Sequence, residues 1–290
     1  MLQASVSSTL RKLKDENYDH LASYLTKTWL LQPHQKSSKK AQMWQEQIAV
    51  NLPVLYLASI CLHRFVKEKK IKNLLFATRD CSHWYKIYAA MYPDDNVQYF
   101  HCSRNMFNTA RLHDRPEYEK YINTITNDDI KHTVYIDVHG TGRRMYQYFS
   151  ARKQKQVPKC FILSSSHSIP EHLFLDIQNM IKKGDCKFMT YGASGSPIEM
   201  LNYDLIGTCN DYTKEGPARA SLEYDEKYVK IYHECVNQFI EIIKHKQIDN
   251  HGDKCLYRMV NVLLEPILDD LPIISIWINH ERKHDRKQIS

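Results

Sequence analysis

The chain has 290 residues, of which 43% are apolar and 25% charged, and it carries a formal net charge of +7. That length buries a sizeable core, and the composition excludes a fibrous or intrinsically unfolded chain. Its basic residues form short clusters without interleaved aromatics, which argues against a nucleic-acid groove. Eight cysteines occur with no Cys-x-x-Cys pair. They point to a reducing, cytoplasmic setting and away from zinc or a disulfide framework. No apolar signal core opens the sequence, and the run from Leu52 to Leu62 is too short for a membrane span and contains Pro53. The expectation is a soluble, intracellular protein with no membrane partner.

In chain order, residues 1–45 read as polar helix, with Leu10, Leu13, Leu21, Leu25 and Leu30 at helical spacing and a loop from Gln32 to Lys40. Ala41 to Lys69 is a longer helix in which Pro53 is expected to kink the chain or start a second segment. Asn73 to Thr78 is the first strand, followed by Arg79-Asp80-Cys81-Ser82 and a helix through Trp84, Ile87, Tyr88 and Met91. Val97 to Cys102 is the second strand, ending in Ser103-Arg104-Asn105. Met106 to Asp129 has weak periodicity and suits a mobile cover with short helices. Thr133 to Val138 is the third strand; Cys160 to Leu163 is the fourth, and Lys187 to Tyr191 a short further one. A helix is expected within Ile169 to Lys182. Gly192 to Pro197 reads as a loop and Gly207 to Gly216 as a turn-rich one. Helices follow at about 225–245 and 254–269, then an apolar run from Ile273 to Ile278 and a frayed tail.

Strands alternating with helices imply an α/β fold with a mostly parallel sheet, flanked by helical N- and C-terminal additions. The division expected is a helical segment at 1–69, a ligand-binding core at 70–215 and a helical segment at 216–290. In a parallel sheet the three polar strand ends face one edge, where open α/β sheets bind ligands. The strongest corner is Asp137-Val138-His139-Gly140-Thr141-Gly142-Arg143. Glycines permit a tight turn, and the amides opening the next helix present donors to an anion. Cys81, beside Arg79 at a helix start, is either a nucleophile of lowered pKa or a small loop residue. Glu199 is either a dipole partner of its helix or a site residue. His83, His101, His132 and His139 lie on separate elements without metal-site spacing.

Ile136-Asp137-Val138-His139-Gly140-Thr141-Gly142 resembles the signature of type I phosphoribosyltransferases, an apolar strand ending in two acids and followed by Thr-Gly and a helix. Ile136 stands where that family has its first acid. The resemblance implies a phosphoribosyltransferase-like, Rossmann-type core. In it Asp137 contacts ribose hydroxyls, while the amides of His139 to Arg143 and the Thr141 hydroxyl hold a 5-phosphate. Arg79, Asp80, Cys81 and Ser82 form the pyrophosphate loop, Ser103 and Arg104 end the next strand, and residues up to Asp129 form a flexible hood. Asp80 and Asp137 are then the catalytic candidates, and Mg²⁺ arrives with the diphosphate of a phosphorylated sugar or nucleotide. The order of motifs also resembles an uncharacterised bacterial and viral group, often encoded near surface-polysaccharide genes. That group has an Arg-Asp-Gly strand end, a Ser-Arg, an Asp-x-Gly-x-Gly-Thr-like corner and a Glu-x-Leu patch, matched here by Arg79-Asp80, Ser103-Arg104, Asp137 to Gly142 and Glu199-Met200-Leu201. A haloacid-dehalogenase-like phosphatase is a third reading, with Thr78 where the nucleophilic acid stands. An inert phospholigand-binding or protein-interaction module is the alternative from another class.

Overall fold

The computed structural model describes residues 2–35, 38–165, 174–191, 195–222, 224 and 226–268. The expected apolar run at 273–278, the tail beyond it and residues 192–194 of the expected loop lie outside them.

The amino-terminal segment is helical as predicted, in α1 (Leu2–Asp15) and α2 (Asp19–Leu30), with Leu13, Leu21 and Leu25 fully buried and Leu30 exposed at the end of α2. Ser38 caps the next helix by accepting a hydrogen bond from the Ala41 amide at 3.1 Å. From there α3 (Lys39–Glu46), a π-turn (Gln47–Asn51) and α4 (Leu52–Glu68) run without a break. Pro53 therefore does not start a new helix. It lacks an amide hydrogen, and the turn before it widens to the π form, a common response to a disturbed helical ladder. This continuous helix is long and apolar enough to cross a membrane by length and composition, but 89% of its most apolar window is buried inside the protein. Its surface is spent on the protein's own core.

The core is a five-stranded sheet of β1 (Asn73–Ala77), β2 (Val97–Phe100), β3 (Thr133–His139), β4 (Lys159–Ser165) and β5 (Cys186–Tyr191), in the order β2-β1-β3-β4-β5. All neighbouring strands are parallel. This is one of the common doubly wound arrangements, with its switch point between β1 and β3. Helices α5 (Ser82–Met91), α6 (Pro116–Thr126), α7 (Arg143–Ala151) and α8 (Leu175–Lys182) connect or cover the strands. β2 stops two residues earlier than expected. The Thr78 hydroxyl donates to the Cys102 carbonyl at 3.0 Å and accepts from its amide at 3.2 Å, so a side chain replaces the ladder there.

Residues 106–129 hold short helices, as expected, while the segment at 207–216 expected as a turn-rich loop enters a hairpin. Helix α6 buries Tyr118, Ile122 and Thr126, and its Glu119 accepts from the Tyr148 hydroxyl and from Arg152, both at 2.7 Å. The hairpin is made of β6 (Cys209–Thr213) and β7 (Gly216–Arg219), preceded by the short helix α9 (Gly195–Met200). The last helices described are α10 (Glu226–Ile243) and α11 (Asp253–Leu268). Helix α10 packs on α2, α3 and α5, and α11 on α4 and β5, so helices from both ends of the chain pack against one another. Seven of the eight cysteines are buried as free thiols.

Candidate functional site

Strand alternation decides what β3 offers. Val134, Ile136 and Val138 are fully buried on one face, while Tyr135, Asp137 and His139 share the other. Asp137 is only half-buried at the carboxyl end, directly across the switch point from the β1 end. Its carboxylate accepts from the Tyr135 hydroxyl at 2.9 Å, and the nearby amides of Val138 and His139 also favour its charge. Burial and the negative charge of Asp80 outweigh them and push the pKa up to about 7. Two carboxyl groups thus share the edge, and Asp137 holds its proton more readily than an ordinary aspartate.

The turn after β3 is shaped by Gly142. Its φ of +74° lies in the left-handed region, and a Cβ there would stand 3.2 Å from Cys160 Sγ and 3.4 Å from Ile162 Cδ1. Gly142 caps α7, whose first-turn amides have no carbonyl one turn earlier to bond. The neighbouring amides are already engaged: Gly140 donates to the Ser164 carbonyl at 3.1 Å, and Arg143 to the Thr141 hydroxyl at 3.4 Å. Ser164 Oγ donates to the Val138 carbonyl at 3.0 Å, so it accepts from His139 Nδ1 at 2.9 Å. His139 is then the Nδ1-protonated tautomer, and burial lowers its pKa. Arg143 is exposed and lies over the Phe174 ring at 5.2 Å.

At the β1 end Arg79 has φ +71°, a conformation costing a non-glycine residue about 1–2 kcal/mol. Its amide donates to the Tyr99 hydroxyl at 2.8 Å, and its guanidinium to Thr208 Oγ1 at 2.7 Å. The Tyr99 hydroxyl in turn donates to Asp204. The Arg79 guanidinium lies 4.0 Å from Asp80. Burial works against its charge, yet Asp80, Tyr224, Tyr203 and Glu199 hold its pKa above the ordinary value. Glu199 on α9 is therefore part of the neighbourhood. A buried amide network steadies that helix: Gln47 and Asn51 of the π-turn donate to the Leu201 carbonyl, and Asn202 donates to Asn51 Oδ1 at 2.8 Å and to the Ile198 carbonyl at 2.8 Å.

Several expected site residues serve the fold instead. Cys81 is fully buried with its thiol 3.5 Å from the Ile136 carbonyl, and burial pushes its pKa well up. That corrects the nucleophile alternative and leaves the small loop residue, since the negative charges of Asp137 and Asp80 add to the effect of burial where cations would have been needed. The Ser82 hydroxyl is buried and donates to the Asn202 carbonyl at 3.1 Å. Ser103 donates to the Cys209 carbonyl at 2.6 Å, and Arg104 is exposed. Thr78, at the position of a phosphatase nucleophile, spends its hydroxyl on Cys102. Among the described residues no three His, Cys, Asp or Glu side chains converge as a metal cage. A cavity of about 650 Å³ lies elsewhere, between α6 and the end of α7, lined by Glu119, Lys120, Asn123 and Arg152.

The structure thus brings Arg79, Asp80, Asp137, His139, the Gly140–Gly142 turn and Glu199 to one region, and directs Cys81, Ser82 and Ser103 away from it. Tyr135 was legible as a same-face neighbour of Asp137, two residues away. Tyr99, Asp204 and Thr208 carry no local motif. Fold and site together define a doubly wound α/β protein with paired carboxyl groups at its switch point. No protein-family model and no curated protein matches the chain.

Proposed function

We propose that the chain binds a phosphorylated sugar or nucleotide at the β1–β3 switch point and transfers a phosphoribosyl or glycosyl group, with diphosphate as the leaving group. The observation that carries this reading is Asp137, held near a pKa of about 7 by burial and Asp80 beside the open amino-terminus of α7. Asp137 grips sugar hydroxyls as acceptor or donor, according to its proton. The α7 amides and Arg79 face phosphate oxygens, where charge builds as the diphosphate departs. Such a displacement needs no protein nucleophile, in keeping with the commitment of the Thr78 hydroxyl and the Cys81 thiol to the fold. Two carboxylates with diphosphate oxygens also suit Mg²⁺, which would neutralise the leaving group. A second reading, binding without turnover, is favoured by Arg79 already having Thr208 and Asp80 as partners.

Thermal unfolding with phosphoribosyl diphosphate, with and without Mg²⁺, tests the proposal. Binding at one hundred times the dissociation constant stabilises by about 2.7 kcal/mol, a rise of several degrees in Tm. Asp137→Asn is expected to abolish that rise. Diphosphate release separates transferase from binding module, and no stabilisation by any sugar phosphate, nucleotide or nucleotide sugar would overturn both.

A further inference from the structure

We infer that Tyr99 and Asp204 are positioning residues that hold Arg79 in its left-handed conformation, and that the segment from Asp204 to Thr208 clamps this arginine at both ends. The inference rests on the proposed phospholigand site and adds to it the part that presents the arginine. An arginine at φ +71° adopts that backbone only where surrounding bonds over-determine it. Here the Arg79 amide donates to the Tyr99 hydroxyl at 2.8 Å, and the same hydroxyl donates to Asp204 Oδ2. Asp204 is itself fixed. Its Oδ1 accepts from the Leu205 amide at 2.7 Å, its carbonyl accepts from the Tyr224 hydroxyl at 2.6 Å, and His233 Nε2 stands 3.8 Å from its carboxylate. Four residues further on, Thr208 takes the guanidinium at 2.7 Å. One segment, far from β1 in the chain, therefore governs both the backbone and the charged head of Arg79. The Tyr99 hydroxyl donates to Asp204 and accepts from the Arg79 amide, so neither bond can be lost without disturbing the other.

Hydrogen exchange of the Arg79 amide, followed by NMR in the full chain, reads the clamp with no ligand present. Tyr99→Phe keeps the ring and deletes the hydroxyl. It is expected to speed Arg79 exchange at least about tenfold and to weaken phosphoribosyl diphosphate binding by about the same factor. Asp204→Asn keeps one oxygen for Tyr99 but turns its amide nitrogen towards the Leu205 amide, so it is expected to fall between the parent and Tyr99→Phe on both readouts. A general loss of packing would not rank the variants in this order. Asp204→Ala is the substitute should Tyr99→Phe fail to fold, with the same acceleration expected. Thr208→Val loses only the guanidinium bond, so Arg79 exchange should hold while binding weakens. Unchanged Arg79 exchange in Tyr99→Phe and Asp204→Ala overturns the clamp. If the unmodified chain binds no phosphoribosyl diphosphate while Arg79 exchange still accelerates in these variants, the site reading fails and the clamp stands.

Discussion

The corners after β2 and β3 look alike as sequence, each an apolar strand running into polar residues, yet the protein uses them oppositely. After β2, Ser103 donates to the Cys209 carbonyl, Asn105 to the Asn210 carbonyl at 2.9 Å, and His101 Nδ1 lies 2.6 Å from Arg219. The β6–β7 hairpin consumes that corner's hydrogen-bonding capacity. After β3, a half-buried carboxyl group and a helix amino-terminus stay at the edge, with a second carboxyl group across from them. A polar strand end becomes a candidate site only where the rest of the chain leaves it chemistry to spend.

The largest expected effect breaks the β3 corner outright. Gly142→Val combines a left-handed backbone with a branched side chain pressed on Cys160, and should cost roughly 3 kcal/mol or more in urea unfolding. A loss within about 0.5 kcal/mol would mean the corner is not rigid.

Next comes a pH dependence opposite in sign to that of the β2 corner, where burial and Arg219 lower the His101 pKa to about 4 and stability falls as pH drops below about 6.5. Asp137, at about 7, and the fully buried Glu46 of α3, at about 8, both hold protons in the fold. The unfolded chain releases those protons above the ordinary carboxyl value of about 4. Their stability contribution is therefore full below about pH 4 and declines as pH rises towards 7 for Asp137 and 8 for Glu46. Asp137→Asn and Glu46→Gln should each remove their own share, raising stability at pH 8 by roughly 2–3 kcal/mol. Denaturation across pH 4–9 checks this, and a decline that persists unaltered in both variants contradicts it.

Smaller effects sharpen the contrast. Ser103→Ala removes a bond to the hairpin and should cost about 1 kcal/mol without changing ligand affinity, measured by thermal denaturation and titration. Weakened binding in that variant would return the β2 corner to the site. Arg104→Ala, at an exposed position, should alter stability by no more than about 0.5 kcal/mol in the same denaturation assay.

Much of this architecture was readable in advance. The β-branched and aromatic runs at Asn73, Val97, Thr133 and Cys160 marked the strands, the helices between them implied parallel pairing, and the bend at Gly140 and Gly142 marked the switch-point corner. What escaped the sequence depends on distant partners. Helix α6 is polar on its outer face, and what fixes it is Tyr118, Ile122 and the Glu119 bonds to Tyr148 and Arg152. The hairpin is short and half-exposed, with no Asn-Gly signal, and gains its register from Ser103, Asn105 and His101 more than one hundred residues away. Cys81 read as either a nucleophile or a small loop residue, and the sequence could not decide because burial of its thiol against the Ile136 carbonyl depends on β3, more than fifty residues away.

The central claim is that the carboxyl pair at the switch point receives a phosphorylated ligand, and calorimetric titration of phosphoribosyl diphosphate with Mg²⁺ tests it most directly. The account predicts saturable binding to the unmodified chain, weakened at least about tenfold in Asp137→Asn and unaltered in Ser103→Ala. Equal affinity in the unmodified chain and in Asp137→Asn would contradict it.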